Sequence, residues 1–188
     1  MDRSSLLREL ETYQAATPQE ETMRLQLIRF VTTHEQCFSR NLQLGHITAS
    51  AWVLDLDGNH VLLTHHRKLN RWLQLGGHTE GEARLVDSAL RETREESGLL
   101  EVKAVREEIF DLDIHTIPAR GPEPEHLHYD VRFLLQASRQ APLLVSSESK
   151  NLAWVKLDEV QRLNPAESMM RMVRKARERP SGPSGTPK

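Results

Sequence analysis

The sequence contains one cysteine, Cys37, and it has neither a long apolar segment nor a large net charge. A single cysteine excludes an intrachain disulfide and a thiolate-rich metal site. We expect Cys37 to be a small buried residue. No stretch approaches the ~18 apolar residues of a membrane span, and the charged start MDRSSLLRELETY is unlike a signal peptide. These absences predict a soluble, cytoplasmic protein without a membrane partner.

The charges are almost balanced, with 25 Lys and Arg against 27 Asp and Glu and a formal net charge of −2. Such a chain has no overall basic field that would attract nucleic acid or an anionic membrane. Its 188 residues, of which 38% are hydrophobic and 28% charged, are typical of one folded domain with additions. We therefore expect a small-molecule partner and no specific nucleic acid, and we leave a homodimer open.

Residues 1–44 are predicted to form a helical extension. Leucines at 6, 7 and 10 indicate a short amphipathic helix over residues 4–14. Thr17 followed by Pro18, with Glu20 three residues after the threonine, is typical of a helix start. This second helix is predicted to continue to about Phe38. Its apolar residues are expected to pack on the following domain; they are Met23, Leu27, Phe30 and Val31.

Residues 45–165 are predicted to form the main domain. Two β-rich runs separated by DLDGN indicate a hairpin, and the run RWLQL precedes Gly76-Gly77. A helix is predicted from about Arg84 to Ser97, ended by Gly98. The segment LLEVKAVREEIFDLDIHTI predicts one or two strands, and HLHYDVRFLLQA and NLAWVKL one each. Because strands and helices do not alternate strictly, we expect an α/β fold with a mixed sheet between helical layers.

The C-terminal part is predicted to be a helix over residues 166–179 and a disordered tail over 180–188. The helix carries the basic run RMVRKARER. We interpret that run as a solvent-facing surface rather than a binding site for acidic partners. The tail PSGPSGTPK has the composition of a segment without a packed core.

The stretch RETREESG concentrates negative charge on the 84–97 helix. Glu92, Glu95 and Glu96 stand at i, i+3 and i+4, where like charges cost roughly 0.2–0.5 kcal/mol per pair. Mg²⁺ and Mn²⁺ prefer oxygen ligands and would offset that repulsion. Arg91, four residues before Glu95, is placed to brace a carboxylate. The alternative is a solvated face of ion pairs, but the preceding Gly76-Gly77 and the density of acids favour a cation.

The segment GGHTEGEARLVDSALRETREESGL, residues 76–99, resembles the signature of Nudix hydrolases. Gly77 fits its first glycine, Arg91-Glu92 its Arg-Glu pair, Glu95-Glu96 its double acid and Gly98-Leu99 its end. Thr93 takes an apolar position, where its methyl group can pack. Ala83 stands where the signature has glutamate, and Glu80 or Glu82 could supply an equivalent carboxylate.

This resemblance implies a Nudix-type α/β/α sandwich and a metal-dependent pyrophosphohydrolase acting on a nucleoside diphosphate linked to another moiety. It implies that Mg²⁺ or Mn²⁺ binds Glu95 and Glu96, and that Glu92 either binds the metal or orients the attacking water. The Gly77 carbonyl is a further ligand in this interpretation. Arg91 would fix the geometry of a carboxylate. The general base in this family can come from a loop outside the helix, and Glu148 is our candidate. The alternatives are a binding or sensor module without turnover and an isomerase on the same scaffold.

A basic stretch just before the glycine pair is a candidate for contacts with substrate phosphates. Its members include His66, Arg67 and Arg71. An ordinary solvated loop explains the same residues equally well. Trp72 could stack on a base or sugar, as could Tyr129, but packing in the core is the better interpretation of both.

His126, His128 and Asp130 are spaced to share one face of a strand. A His-x-His pair can bind zinc, but the sequence does not identify a third ligand. Substrate contact by His128, or simple packing in the sheet, is the expectation.

Overall fold

The computed structural model describes residues 2–82 and 84–178 of the chain. Its five helices are α1 (Arg3–Thr12), α2 (Pro18–Thr33), α3 (Leu85–Ser97), α4 (Val160–Leu163) and α5 (Glu167–Glu178). Its eight strands are β1 (Gly45–Leu54), β2 (His60–His66), β3 (Arg71–Leu73), β4 (Leu75–His78), β5 (Val102–Ala104), β6 (Asp111–Ile117), β7 (His126–Ala137) and β8 (Ser149–Lys156). The predicted tail and Ala83 lie outside the described residues.

All eight strands belong to one mixed sheet with β1 near its centre. Strand β1 pairs parallel with β7 and antiparallel with β2 and β4. Strands β5 and β6 add to β7, while β3 and β8 add to β2, all antiparallel. The hairpin predicted at DLDGN joins β1 and β2, and Gly58 takes the left-handed φ of 73° that its turn requires.

Helices cover both faces of the sheet, which confirms the α/β/α prediction. On one face, side chains of α1, α2 and α3 form a core with alternate residues of β1 and β7, among them Ala49 and Val131. On the other face, α4 and α5 pack over Trp52 and Leu134. Among residues 2–82 and 84–178, no helix is long and apolar enough to cross a membrane.

The second helix begins as predicted but ends early. The Thr17 side chain accepts a hydrogen bond from the Glu20 N–H, and Pro18 opens the helix. The predicted end at about Phe38 is wrong, because His34 leaves the helical conformation and its backbone N–H donates to the Phe30 carbonyl, 3.0 Å away. The chain then turns towards β1. Cys37 is fully buried, and its carbonyl accepts a hydrogen bond from the Ile47 N–H in β1.

The expectation of a solvent-facing basic helix is wrong for two residues of α5, Arg171 and Lys175, whereas Arg174 and Arg177 are exposed. Arg171 is only 2% exposed and donates to Asp111. Lys175, one turn later, contacts Asp111 and Glu20 of α2. Spacing of i, i+4 places both cations on the same side of α5, facing the sheet. Together with Asp113, Asp130 and Arg132 these residues form a buried cluster, here called the arginine network.

Candidate active site

The acidic helix α3 packs against the sheet beside strand β4. Val86 and Ala89 are buried in the core that α3 shares with β1. Thr93 is also buried, and its hydroxyl donates to the Ala89 carbonyl at 2.7 Å, so the polar group in this apolar position is satisfied. Gly98 ends the helix at a φ of 72°, as predicted, and its N–H donates to the Arg94 carbonyl.

One guanidinium organises the acids around α3. Arg91 donates to Glu92 at 3.0 Å and to Glu95 at 2.8 Å, and it also contacts Glu82. A further nitrogen donates to the His78 carbonyl at 2.7 Å, at the end of β4. Arg91 therefore braces three carboxylates rather than the one expected from sequence. Glu82, Arg91, Glu92, Glu95 and Glu96 are named the acid cluster below.

Glu96 is the buried member of the acid cluster. Its side chain lies against β4, where the Gly76 N–H donates to Oε2 at 3.0 Å, and the residue is 8% exposed. Burial, together with the nearby charges of Glu92 and Glu148, raises the pKa of Glu96 to about 8. Burial also raises the pKa of Glu92. The three acids thus do not share one exposed face; only the Glu95 carboxylate, 58% exposed, faces the solvent.

The glycine pair lets β4 approach these acids closely. A Cβ atom on Gly77 would lie 2.7 Å from the Glu92 carboxyl carbon, which is too close for any larger residue without movement of Glu92. Gly76 has a φ of 145°, and a Cβ there would lie 2.5 Å from the Ser50 Cα. Gly76 therefore needs glycine, and a side chain at Gly77 would displace the Glu92 carboxylate.

Glu82, rather than Glu80, lies in contact with Arg91. Its carboxylate also accepts a 2.9 Å hydrogen bond from the Ser88 hydroxyl. Burial alone would raise the pKa of Glu82, but the hydrogen bond from Arg91 and those from backbone N–H groups lower it to about 2. Glu80 is exposed. Ala83, where the Nudix signature has glutamate, lies outside the described residues.

Glu148 lies on the exposed loop that leads into β8. The Arg67 N–H donates to the Glu148 carbonyl at 2.8 Å, and the Arg67 guanidinium donates to the carbonyls of Ser147 and Ser149. Arg67 thereby holds the loop against β2. Burial lowers the pKa of His66, and the carboxylate charge of Glu148 partly offsets that shift. The same charge contributes to the raised pKa of Glu96, so the three side chains lie within electrostatic range.

The other candidates for substrate contact are spread over two regions. His66 ends β2 and accepts a hydrogen bond from the Leu69 N–H, while Arg71 is exposed at the start of β3. His128 lies elsewhere, on β7 next to β1. Trp72 stacks on His65 with ring centroids 5.1 Å apart. Tyr129 stacks on Phe30 at 3.9 Å, as expected for core packing.

His128 belongs to a histidine cluster that sequence reasoning missed. Strand pairing sets His46 of β1 directly beside His128, and His78 of β4 two residues further along β1. The sequence shows no motif linking them, because the neighbours come from strands far apart along the chain. One signal for the cluster was available in the sequence. Side chains alternate between the two faces of a strand, so His46, Thr48 and Ser50 of β1 are predicted to share one face.

Comparison with known proteins matches the chain to one family. The family model described as NUDIX domain matches residues 45–175, from the start of β1 into α5. A search of curated proteins finds no match. Several solved structures share the fold at low identity.

A C. elegans Ap4A hydrolase in a binary complex is 19% identical, with a TM-score of 0.55 over 69% of this chain and 93% of that one. The NUDIX domain of Shewanella oneidensis NrtR, complexed with ADP ribose, is 17% identical, with a TM-score of 0.51 over 80% and 96%. An E. coli dihydroneopterin triphosphate pyrophosphohydrolase is 14% identical, with a TM-score of 0.51 over 69% and 92%. Identities this low show a shared fold.

Proposed function

Because the chain belongs to the Nudix family of pyrophosphohydrolases, we propose that it cleaves a pyrophosphate bond in a nucleoside diphosphate joined to another moiety, using Mg²⁺ or Mn²⁺ held by the acid cluster. The observation that carries this proposal is the placement of Glu96 and Glu92. Both carboxylates have raised pKa values and lie against Gly76-Gly77: Glu96 accepts a hydrogen bond from the Gly76 N–H, and a Cβ atom on Gly77 would lie 2.7 Å from the Glu92 carboxyl carbon.

The acid cluster fits a hard divalent cation by its chemistry. It contains four carboxylates and a single guanidinium, so it carries excess negative charge around α3. Arg91 restrains Glu92 and Glu95, while Glu96 accepts from the Gly76 N–H through one oxygen. Glu92, Glu95 and Glu96 would hold the ion, and the Gly77 carbonyl is the proposed backbone ligand. Carboxylate and carbonyl oxygens are the ligands that Mg²⁺ and Mn²⁺ prefer.

A bound divalent cation would neutralise the diphosphate oxygens, whose charge repels a nucleophile, and would help to activate water. The residues of the chain supply the rest. Arg91 keeps the carboxylates oriented, and the Gly76 N–H fixes Glu96. Glu148 is the proposed base, because its exposed carboxylate lies within electrostatic range of Glu96. A positioned base contributes about 10²–10⁴ in rate.

The β2–β3 turn and the Glu148 loop are the proposed substrate side of the site. His66 and Arg71 flank that turn, and Arg67 links it to the loop. Relatives with this fold include an Ap4A hydrolase and a domain complexed with ADP ribose. A nucleotide-type small molecule is therefore the proposed substrate. The cytoplasmic location and a homodimer stay predictions.

The test is a substrate screen followed by one matched pair of variants. Nucleotide sugars, dinucleoside polyphosphates, ADP-ribose and (d)NTPs are incubated with the protein and Mg²⁺ or Mn²⁺, and released products are quantified. We expect Glu96→Gln to lower kcat by at least about 1,000-fold, a barrier increase of ~4 kcal/mol, with its thermal unfolding still cooperative. Glu101→Gln, an exposed acid after α3, should leave kcat unchanged.

Each outcome of the screen has a definite meaning. Turnover that Glu96→Gln removes supports the hydrolase. Ligand-induced stabilisation without any product would favour a sensor module. Rearranged product without phosphate-bond cleavage would favour an isomerase. Equal rates for Glu96→Gln and the parent protein would refute the assignment of the acid cluster.

A further inference from the structure

A cluster of histidines lies on the side of the sheet opposite the acid cluster. A Cβ atom added to Gly77 would point at Glu92 of α3. Because successive residues of a strand point to opposite faces, the ring of the next residue, His78, lies on the other face. It meets His46 there with ring centroids 5.0 Å apart and His128 at 5.4 Å. We propose that His46, His78 and His128 form a transition-metal site that takes Zn²⁺ or a similar ion.

The backbone places these three rings together by strand register. His46 is the direct partner of His128 in the parallel β1–β7 pair, and His78 is paired with Thr48, one step along the same face. One ligand nitrogen from each ring lies within 4.8 Å of the other two. Ligand nitrogens of a tetrahedral zinc site are about 3.4 Å apart, given Zn–N distances of 2.0–2.1 Å. Side-chain rotation would have to close that difference on metal binding, and the strand register already places the three rings on one face.

Several buried ring nitrogens in this histidine cluster have no hydrogen-bond partner among the described residues. His46 is 2% exposed, and neither of its ring nitrogens has a hydrogen-bond partner among the described residues. The Nε2 atoms of His128 and His126 are likewise buried and unpaired within the described chain. A buried polar group without a partner costs about 1–3 kcal/mol. A neutral imidazole offers one lone pair, and a metal ion bound to His46 and His128 would accept one from each ring, where the described residues supply no hydrogen-bond partner.

The protonation state of the rings suits a metal. Burial, with a further contribution from His126, lowers the pKa of His46 to about 4. Burial and the neighbouring histidines lower that of His128 to about 2. At neutral pH both imidazoles are uncharged, which is the form that binds metal ions. Simple ring stacking would also tolerate neutral histidines but would leave the buried nitrogens unpaired.

The ligand type separates this site from the acid cluster. Imidazole nitrogens select Zn²⁺, Ni²⁺ or Cu²⁺, whereas carboxylates and carbonyls select Mg²⁺ and Mn²⁺. A zinc ion here would join the start of β1, the end of β4 and the start of β7. It would fix the end of β4, whose His78 carbonyl accepts a hydrogen bond from Arg91. The site is thus expected to stabilise the strand that carries Gly76-Gly77, independently of which substrate is cleaved.

The test measures zinc binding by the full-length, untagged protein after treatment with a chelator. Zinc affinity and stoichiometry are determined by competition with a chromophoric chelator, and Co²⁺ is added separately to record the visible spectrum of a site with nitrogen ligands. All measurements are repeated in a Glu95→Gln/Glu96→Gln background, so that zinc bound by the acid cluster is not counted. Failure of the proposed hydrolase would leave this readout unaffected.

We expect one Zn²⁺ per chain in that background and a rise in Tm on zinc addition. His46→Gln and His128→Gln should each weaken zinc binding by at least about 100-fold, while His34→Gln, on α2's C-terminal cap, should not change it. If His46→Gln or His128→Gln fails to fold, His78→Gln, whose ring is partly exposed, replaces it. Absence of a stoichiometric zinc ion, or zinc binding that none of the cluster variants weakens, would overturn the proposal.

Discussion

Two groups of charged side chains in this molecule differ in how well opposite charges are balanced. In the arginine network, Arg132 is fully buried and donates to three aspartates, Asp111, Asp113 and Asp130. Burial alone would raise the pKa of Asp111, but Arg171 and Arg132 lower it. In the acid cluster, a single guanidinium faces four carboxylates; the pKa of Glu82 is lowered, but those of Glu92 and Glu96 are raised. Carboxylates whose charge is matched hold the fold together, and those left unmatched are available for a cation.

The arginine network also shows what matched charges connect. Lys175 of α5 contacts both Glu20 of α2 and Asp111 of β6. The N-terminal extension and the C-terminal helix are therefore tied to the same strand. Buried ion pairs bring a large desolvation penalty, so their loss is costly mainly because the remaining partner stays charged and buried. The acid cluster is expected to respond in the reverse way, losing activity while keeping stability.

The largest effect on stability is expected from Arg132→Met. The substitution removes the guanidinium that buried Asp111 and Asp130 share with half-buried Asp113, and breaking a buried pair in this way costs about 3–5 kcal/mol. Urea unfolding followed by circular dichroism measures the loss. Arg162→Met, which removes an exposed arginine of α4 that forms no ion pair with the described residues, is the control and should cost below about 1 kcal/mol. Similar losses for both variants would contradict the structural role of the network.

The next effect concerns turnover. Glu148→Gln is expected to lower kcat by about 100-fold with little change in KM, because the exposed loop places this carboxylate near Glu96 without burying it. Steady-state kinetics over a range of pH values would also show loss of the base-dependent limb of the profile. Glu178→Gln, an exposed acid at the end of α5, serves as the matched control. An unchanged kcat and pH profile would assign the base elsewhere.

A smaller effect, on the affinity for Mn²⁺, is expected when the contact between Glu82 and Arg91 is weakened. Glu82→Gln weakens the contact with Arg91 and should raise the apparent Kd for Mn²⁺ by about tenfold, as outer partners of a metal site do. Glu80→Gln, on the same loop but exposed, should change it less than twofold. Mn²⁺ titration followed by electron paramagnetic resonance separates the two. A larger effect of Glu80→Gln would identify Glu80 as the replacement for the glutamate that the signature has at Ala83.

The smallest effect concerns stability and pH in chelator-treated protein. The folded-state pKa of Glu96, about 8, lies above its ordinary value of 4.5. Its contribution to stability is therefore full below pH 4.5 and is lost as the pH rises towards 8. Glutamine cannot ionise, so Glu96→Gln should raise Tm by a few degrees at pH 8, roughly 1 kcal/mol, and by less at pH 5. Equal shifts at both pH values would contradict the raised pKa.

Local sequence rules predicted much of the fold. The Thr17 cap, the β1–β2 hairpin and the end of α3 at Gly98 depend on neighbours within a few residues, and each was confirmed. The resemblance of residues 76–99 to one family likewise depends on a contiguous motif. The predicted end of α2 was wrong because Cys37 packs beside β1, a contact that no local sequence pattern indicates.

Contacts between distant strands and helices could not be predicted. The prediction of a solvent-facing α5 was wrong for Arg171, because this residue donates a hydrogen bond to Asp111 on β6, far away in the sequence. The partners of His128 depend on the register of β1 against β7, and a shift of one residue would send His46 to the opposite face. The burial of Glu96 follows from the close approach of Gly76, which sequence spacing alone does not reveal.

The central claim is that the unmatched carboxylates of α3 hold a divalent cation that in turn binds a diphosphate. Calorimetric titration of folded, chelator-treated protein with Mn²⁺, with and without nucleotide, tests it most directly. We expect binding that nucleotide strengthens and that Glu95→Gln/Glu96→Gln abolishes, while Arg139→Met leaves it intact. Binding that is absent from the parent protein under both conditions, or unchanged in the double variant, would contradict the claim.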